Sequence, residues 1–517
     1  MALRRGYARP RRRQSGRFAA SASIDGENRL WHGSRHGFRR TRLQDRARRP
    51  LEGSGALRRL RRRARRPGRR LHPFLHRLPG ARNGAAALRR RGRSPARGGR
   101  SGFPRRGAAL GALARRRPLS ASLRFAPRRR GGLGEAAAAR GRRRARLSGR
   151  RAVKRAYALA RPFLFRLDPE RAHRLSIRAL RHGLVPRIDV PVDSRLRVEA
   201  AGLTFPNPLG LAAGYDKDAE VPDAVLRLGF GFAEVGTLTP LPQAGNPPPR
   251  VFRLPGQHAI INRLGFNNDG HADAYERLLA RRRKAGIVGV NVGANKDSAD
   301  RIADYVAGIN RFEPVASYLT VNISSPNTPG LRKLQTGEDL NRLLEAVVAA
   351  RNGFAAVTAT PRKPVFVKVA PDLQREDIAE ISHAVATYHV DGLIVSNTTI
   401  GRDTLPAGAE HREETGGLSG RPLFRRSTWV LAAFRRALGP DVALIGAGGV
   451  DSAARAVEKI EAGADLVQLY TGLVYGGWTL PSTILGGLGR HMELEGVRRI
   501  RDLRDRTTDK VLSAGPG

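Results

Sequence analysis

The sequence predicts an α/β protein: a (β/α)8 barrel with a small helical module on its N-terminal side and an Arg-rich extension before that. Three observations predict it. Eight short apolar runs lie between residues 208 and 472, continuous rather than alternating, as strands buried on both faces must be. Amphipathic stretches such as EDLNRLLEAVVAARNGF and REDIAEISHAVATYH separate them. Nearly every run ends in small or polar residues, and in a barrel all those ends share the face where chemistry occurs. A doubly wound sheet is the alternative, but the count of eight favours the barrel.

The extension comes first. Residues 1–150 hold 47 of the chain's 96 basic residues, all Arg, against 5 of its 44 acidic ones, so +42 of the formal +52 sits there. Apolar residues in it follow no period, and Gly and Pro break every candidate helix, so it is expected to be disordered. Three readings compete: an arginine arm that binds nucleic acid through phosphates, an organellar transit peptide, or a segment created by a start site placed too far upstream. Arg without a single Lys favours the last, because either residue neutralises phosphate whereas GC-rich DNA encodes Arg, Ala, Gly and Pro. The only other Met is Met492, so a start near Leu147 or Val153 needs a non-ATG codon. Elsewhere composition mainly excludes. The chain has no Cys, which removes disulfides, zinc–thiolate sites and a Cys nucleophile. No apolar run of about 20 residues predicts a membrane span, and no secretory signal is expected.

From residue 153 the texture changes. VKRAYALARPFLFRLDPERAHRLSIRALRHGL predicts two short helices, the first interrupted at Pro162, the second capped by Asp168 with Pro169 at its first position. Leu175, Ile177, Leu180 and Leu184 give the second an apolar side. On the residues alone, 151–190 reads as a helical lead-in packed on the main domain. An interfacial module for a membrane surface is the competing reading, from its apolar residues and Arg rim. The barrel is placed at 191–490 and a C-terminal tail at 491–517.

The eight runs are PLGLAAG (208–214), FAEVGTLT (232–239), VGVNVG (288–293), SYLTVNIS (317–324), PVFVKVA (364–370), DGLIVSN (391–397), VALIGAGG (442–449) and LVQLYTG (466–472). After the seventh, GAGGV lets backbone N–H groups approach a phosphate, and with YTG after the eighth it takes a barrel's common phosphate position. Lys217 and Lys368 end the first and fifth runs, where a lysine meets an anion or a flavin edge more often than bulk water. VNISSPNTPGLR (321–332) ends the fourth in a loop of small polar groups stiffened by Pro326 and Pro329.

Taken together these ends resemble one family. AAGYDK, GTLTP, INRLGFNN, NVGANK, NISSPNTPGLR, VKVAPD, SNTT, TGGLSGRPL, GAGGV and LVQLYTGLVY, with DPERAH ahead of them, are similar in order and spacing to the motif series of the dihydroorotate dehydrogenases. The resemblance covers about residues 153–490. It implies an FMN-dependent oxidation of (S)-dihydroorotate to orotate, a step of pyrimidine (UMP) synthesis. Class 1 members use a Cys base; class 2 members use a Ser and pass electrons to quinone at a membrane. Ser325, the missing Cys and the helical pair imply class 2.

By that resemblance Ser325 takes a proton from C5 while a hydride leaves C6, and Ser324 beside it is structural. Substrate contacts carry over to Lys217, Asn262, Arg263, Leu264, Gly265, Phe266, Asn322, Asn327, Asn397 and Thr398. Contacts to one FMN per subunit carry over to Ala213, Gly214, Tyr215, Asp216, Lys217, Thr237, Asn291, Asn322, Lys368, Ser396, Gly420, Gly449, Tyr470 and Thr471. The quinone site carries over to His173 and Arg253, with Tyr470 nearby; without the resemblance His173 reads as a helix-surface histidine. Tyr215 stands where Leu is common, a change expected to matter little, and Ser396 where Thr is frequent. Also implied are a monomer and peripheral attachment to a bacterial inner membrane on its cytoplasmic side, with the mitochondrial inner membrane as the alternative. Neither a metal nor a nucleic acid partner is expected. A flavin-dependent tRNA dihydrouridine synthase would need the missing Cys; an RNA-binding protein acting through the arginine arm is the rival of another class.

Overall fold

The computed structural model describes residues 153, 155–185 and 188–516, so the extension read at 1–150 lies outside the described residues. Residues 155–166 form helix α1. The interruption expected at Pro162 does not occur. A proline orphans the carbonyl four residues back, and Ala158 lies on an exposed face open to solvent. Helix α2 (Pro169–Arg181) starts as the sequence predicts: the Asp168 carboxylate accepts from the N–H groups of Glu170 and Arg171 at 3.1 and 2.9 Å. A hairpin, β1 (Val198–Ala200) with β2 (Leu203–Phe205), follows.

The barrel begins with β3 (Leu209–Leu211), α3 (Pro222–Arg227) and β4 (Phe232–Leu238). An excursion, β5 (Val251–Leu254), β6 (Ala259–Asn262) and α4 (Gly270–Arg281), precedes β7 (Ile287–Val292). Then come α5 (Arg301–Phe312), β8 (Tyr318–Asn322), α6 (Gly337–Thr358), β9 (Val365–Val369), α7 (Arg375–Thr387) and β10 (Gly392–Val395). A second excursion carries β11 (Gly417–Gly420), after which α8 (Phe424–Leu438), β12 (Ala443–Ala447), α9 (Ala453–Glu461) and β13 (Leu466–Leu469) complete the repeat. Helices α10 (Thr471–Gly476), α11 (Leu480–Leu494) and α12 (Thr508–Ser513) close the chain.

Strands β3, β4, β7, β8, β9, β10, β12 and β13 form a closed, all-parallel barrel, joined where Val467 of β13 pairs with Leu209 of β3. These are the eight apolar runs. Their inward side chains pack in layers. At the floor Phe205 of the β1–β2 hairpin meets Phe232 edge-on at 5.1 Å, and Tyr318 packs on Phe366 at 5.3 Å. Gly289 makes room for this layer, since a Cβ there would fall 2.1 Å from the Tyr318 ring.

The sequence does not announce the antiparallel sheet β11–β6–β5, which stands over the strand ends and forms a side wall of the site. Nor is the stretch from 491 a tail. Helix α11 runs through the expected boundary, and α12 packs on α8, with the Trp429 indole donating to the Leu512 carbonyl at 3.3 Å. Arg504 also pairs with the buried Asp465 beside β13.

Candidate active site

The C-terminal ends of the strands open into a cavity of about 750 Å³, walled by the antiparallel sheet and by α1 and α2. Most of the site residues expected from the sequence line it: His173, Ala213, Gly214, Tyr215, Asp216, Lys217, Thr237, Arg253, Asn262, Leu264, Gly265, Phe266, Asn322, Ser325, Asn327, Lys368, Ser396, Asn397, Thr398, Gly420, Gly449, Tyr470 and Thr471. Two do not. Arg263 turns outward, its guanidinium paired with Glu414 at 2.6 Å and stacked over Phe252, because an unpaired cation at the sheet's rim does better against a carboxylate. Asn291 lies one layer down, inside the barrel.

Asn291 belongs to a chain of polar groups that rises from the barrel core. Glu234, wholly buried in the middle of β4, accepts from Asn291 Nδ2 (2.8 Å), Gln468 Nε2 (2.9 Å), the Tyr318 hydroxyl (3.0 Å) and Thr320 Oγ1 (3.3 Å). A buried carboxylate is tolerated only when so supplied with donors. Asn291 Oδ1 in turn accepts from Thr237 Oγ1 at 2.6 Å, and Thr237 Oγ1 from Asn322 Nδ2 at 2.9 Å. Asn322 Oδ1 accepts from Ser324 Oγ at 3.1 Å and Asn397 Nδ2 at 3.3 Å. Ser324 is fully buried between these amides, whereas Ser325 lines the cavity, its Oγ accepting from the Asn327 N–H at 3.3 Å. The Asn327 amide donates to Asn262 Oδ1 at 3.3 Å. Amide orientations are thus fixed from the core outward, and the cavity meets a ring of neutral donors and acceptors around one hydroxyl.

Two lysines add charge. Lys368 makes no ion pair among the described residues; burial pushes its ammonium below the usual range, and the Glu234 charge opposes that shift. Burial likewise brings Lys217 down to about 8, against the pull of Asp218 and Glu170. The Asp216 side chain is taken up by the backbone. Its carboxylate accepts from the N–H groups of Glu220 and Val221 at 2.7 and 2.9 Å, fixing the turn into α3, and burial raises it to about 7.

At the far end, donors from behind hold three successive carbonyls of the glycine loop. Lys459 Nζ reaches Ala447 at 3.3 Å, Ser427 Oγ reaches Gly448 at 3.2 Å and Arg455 Nη1 reaches Gly449 at 3.1 Å. The N–H groups of Gly449 and Val450 have no acceptor among the described residues. Gly449 sits at φ +76° with a would-be Cβ 2.6 Å from Phe424 Cβ, so only glycine fits. Nearby, Gln468 Oε1 is buried without a partner, although its residue lines the cavity. Orphaned donors and an orphaned acceptor at one end suit a ligand carrying a phosphate and a ring N–H.

Under the helices the lining becomes aromatic. His173 faces the cavity rather than the helix surface: its ring meets Tyr215 edge-on at 5.1 Å, and its Nδ1 lies 3.5 Å from the Tyr470 hydroxyl. Burial, then Lys217, lowers it to about 3, so the imidazole is neutral. Tyr215 matters more than a Leu would. Its hydroxyl bonds Ser176 of α2 at 3.0 Å and also meets the Trp478 indole, tying helix to barrel. Arg253 is a clasp as well as a lining residue, donating to the Phe165 and Leu167 carbonyls at 3.2 and 2.9 Å where α1 ends. Sequence reasoning missed Glu234 and Gln468, which lie inside apolar runs, and Lys459, on a helix no motif marks.

A closed parallel barrel with a polar cavity at its C-terminal face defines a (β/α)8-barrel enzyme. Residues 195–492 match the family model described as dihydroorotate dehydrogenase. Among curated relatives, the "dihydroorotate dehydrogenase (quinone)" of Mesorhizobium japonicum is 60% identical over 355 residues, covering 69% of this chain and 97% of that one. Its namesake from Sinorhizobium fredii is 60% identical over 351 residues, covering 68% and 96%. A crystal structure of DHODH from Eimeria tenella in complex with ferulenol superposes with a TM-score of 0.63 at 38% identity, over 66% of this chain and 95% of that one. The chain belongs to the dihydroorotate dehydrogenase family.

Proposed function

We propose that this protein oxidises (S)-dihydroorotate to orotate, with FMN as resident cofactor and a membrane quinone as final electron acceptor. One observation carries the reading: a single cavity joins a ring of neutral amides around Ser325, two lysines that make no ion pair among the described residues, an anion cradle and an aromatic approach beneath two helices. Family membership supports the substrate, and the names of the relatives support the acceptor. The residues present fit FMN. Gly449 and Val450 offer N–H groups to its phosphate, Gln468 Oε1 an acceptor to its ring, and Lys368 a cation to the ring's electron-rich edge. Bound there, FMN supplies the acceptor for the hydride that leaves C6 of the substrate.

Ser325 Oγ takes the C5 proton as its own hydroxyl proton passes on to water in the polar cavity. A serine is a poor base in water, and the Asn327 N–H already directed at its oxygen favours negative charge there. Asn262, Asn322, Asn327 and Asn397 hold the pyrimidine by neutral hydrogen bonds and stabilise the charge that develops as C5 loses its proton. Lys217 meets the substrate carboxylate. The neutral His173 and the Tyr470 hydroxyl flank the quinone as hydrogen-bonding groups. Helix α1 exposes Leu159 and Phe163 beside Arg161 and Arg166, which suits a lipid surface, with the cytoplasmic face of a bacterial inner membrane the first choice. No helix among the described residues is long and apolar enough to cross a membrane.

The test is anaerobic mixing with dihydroorotate. The purified chain is expected to be yellow and to bleach. Ser325→Ala is expected to stay yellow and bleach about 10²–10⁴-fold more slowly, the usual contribution of a positioned base. A colourless folded chain, or an unimpaired Ser325→Ala, refutes the reading.

A further inference from the structure

Arg332, eight residues beyond Ser324, lies behind the cavity wall and reaches three acceptors at once. Its Nε donates to the Ser324 carbonyl at 3.1 Å, its Nη2 to the Thr398 carbonyl at 3.0 Å and its Nη1 to Asp372 Oδ2 at 2.9 Å. Ser324 adjoins Ser325, and Thr398 adjoins Asn397. Asp372 follows β9 and is itself filled: it also accepts from the Thr399 hydroxyl, the Ile400 N–H at 3.1 Å and Arg426 at 3.4 Å. Both side chains are mostly buried, at 23% and 12% exposure. The loops after β8, β9 and β10 are therefore fastened to one guanidinium. Only Arg has the planar fork for this; a Lys has a point charge that cannot span both carbonyls and the carboxylate.

We propose that Arg332 is a positioning residue for the oxidation. It sets the distance between Ser325, which breaks the C5–H bond, and Asn397–Thr398, which hold the ring, while Asp372 holds Arg332. Arg332 lines no part of the cavity and touches no reacting atom. Its effect is transmitted through two backbone carbonyls. This inference rests on Ser325 being the base.

Arg332→Gln and Arg332→Lys are compared with the parent as full-length, FMN-loaded chains, with Ser325→Ala beside them. FMN content and visible spectrum are recorded first, and both Arg332 variants are expected to match the parent. Flavin reduction should fall about 10–100-fold in Arg332→Gln, the usual effect of a misplacement near 1 Å. The distinguishing readout is isotopic: dihydroorotate deuterated at C5 should slow Arg332→Gln more than it slows the parent, while C6 deuteration should not. Orotate, followed by calorimetry, should bind several-fold more weakly. Arg332→Lys, which keeps the charge against Asp372 but not the fork, should share the isotope signature. A rate loss that only tracks lost FMN, or isotope effects and orotate affinity equal to the parent's, overturns the positioning role. A fast Ser325→Ala overturns the reading of Ser325 instead, and the positioning role with it.

Discussion

At the residue scale the site divides into groups that are charged and groups kept neutral, and Lys217 is where the division depends on pH. Burial lowers its ammonium to about 8. Below that pH the folded protein presents a cation to an anionic ligand; above it the cation is lost and an anion gains nothing there. The sign follows directly: affinity for dihydroorotate or orotate should weaken above pH 8, approaching tenfold per pH unit. Titrating orotate into the protein between pH 6 and 10 checks this, with Lys217→Met expected to bind weakly and to lose the break near 8. An unchanged break in Lys217→Met would assign it elsewhere. His173 contributes no such break, because at about 3 it is neutral throughout that range. The residues legible in the sequence were those at strand ends, where a polar group after an apolar run has few reasons to be there but a site. Glu234 was not legible. Nothing in FAEVGTLT marks it, and only closure of the barrel makes it the buried acceptor from which Asn291, Thr237 and Asn322 take their orientations.

At the scale of elements, all eight barrel strands were legible because burial on both faces leaves a continuous apolar run. Strands β5, β6 and β11 were not. Each has four residues, and β11 finds β6 across 155 positions, Gly417 opposite Asn262, so no local pattern records the pairing. Helix α1 was misread at Pro162 for a related reason. Propensity predicts a break, but one lost hydrogen bond at an exposed turn is outweighed when Tyr157 anchors the helix through the Val474 carbonyl at 2.6 Å and Arg253 grips its end. The junction between the two helices is testable through the α2 cap. Asp168→Ala removes the cap of α2 and should cost about 1 kcal/mol locally. Faster amide exchange confined to α2 and the end of α1, with barrel amides unchanged, is the expected pattern. Exchange rising across the barrel would mean that the module and barrel open as one unit.

At the scale of the whole molecule the exposed apolar side chains are unevenly spread. Among the described residues, six of the ten large hydrophobic side chains left exposed fall between Leu159 and Val192: Leu159 and Phe163 on α1, Leu175 on α2, and Leu167, Leu184 and Val192 beside them. The barrel proper shows only scattered ones, as soluble surfaces do. Arg161 and Arg166 lie over the rings of Phe165 and Phe163 at 5.9 and 5.7 Å, so cations and apolar groups share one edge. That combination favours an anionic lipid interface, where apolar burial and charge attraction add. A quinone dissolved in lipid would then enter between α1 and α2 without crossing water. Replacing Leu159 and Phe163 together by Glu should abolish cosedimentation with anionic vesicles. These side chains are largely exposed, so folding and flavin reduction by dihydroorotate should be unaffected. Turnover with a short-chain, water-soluble quinone should persist, while turnover with a long-chain quinone in vesicles should fall sharply. Equal losses with both acceptors would place the defect in the cavity and remove the membrane from the explanation.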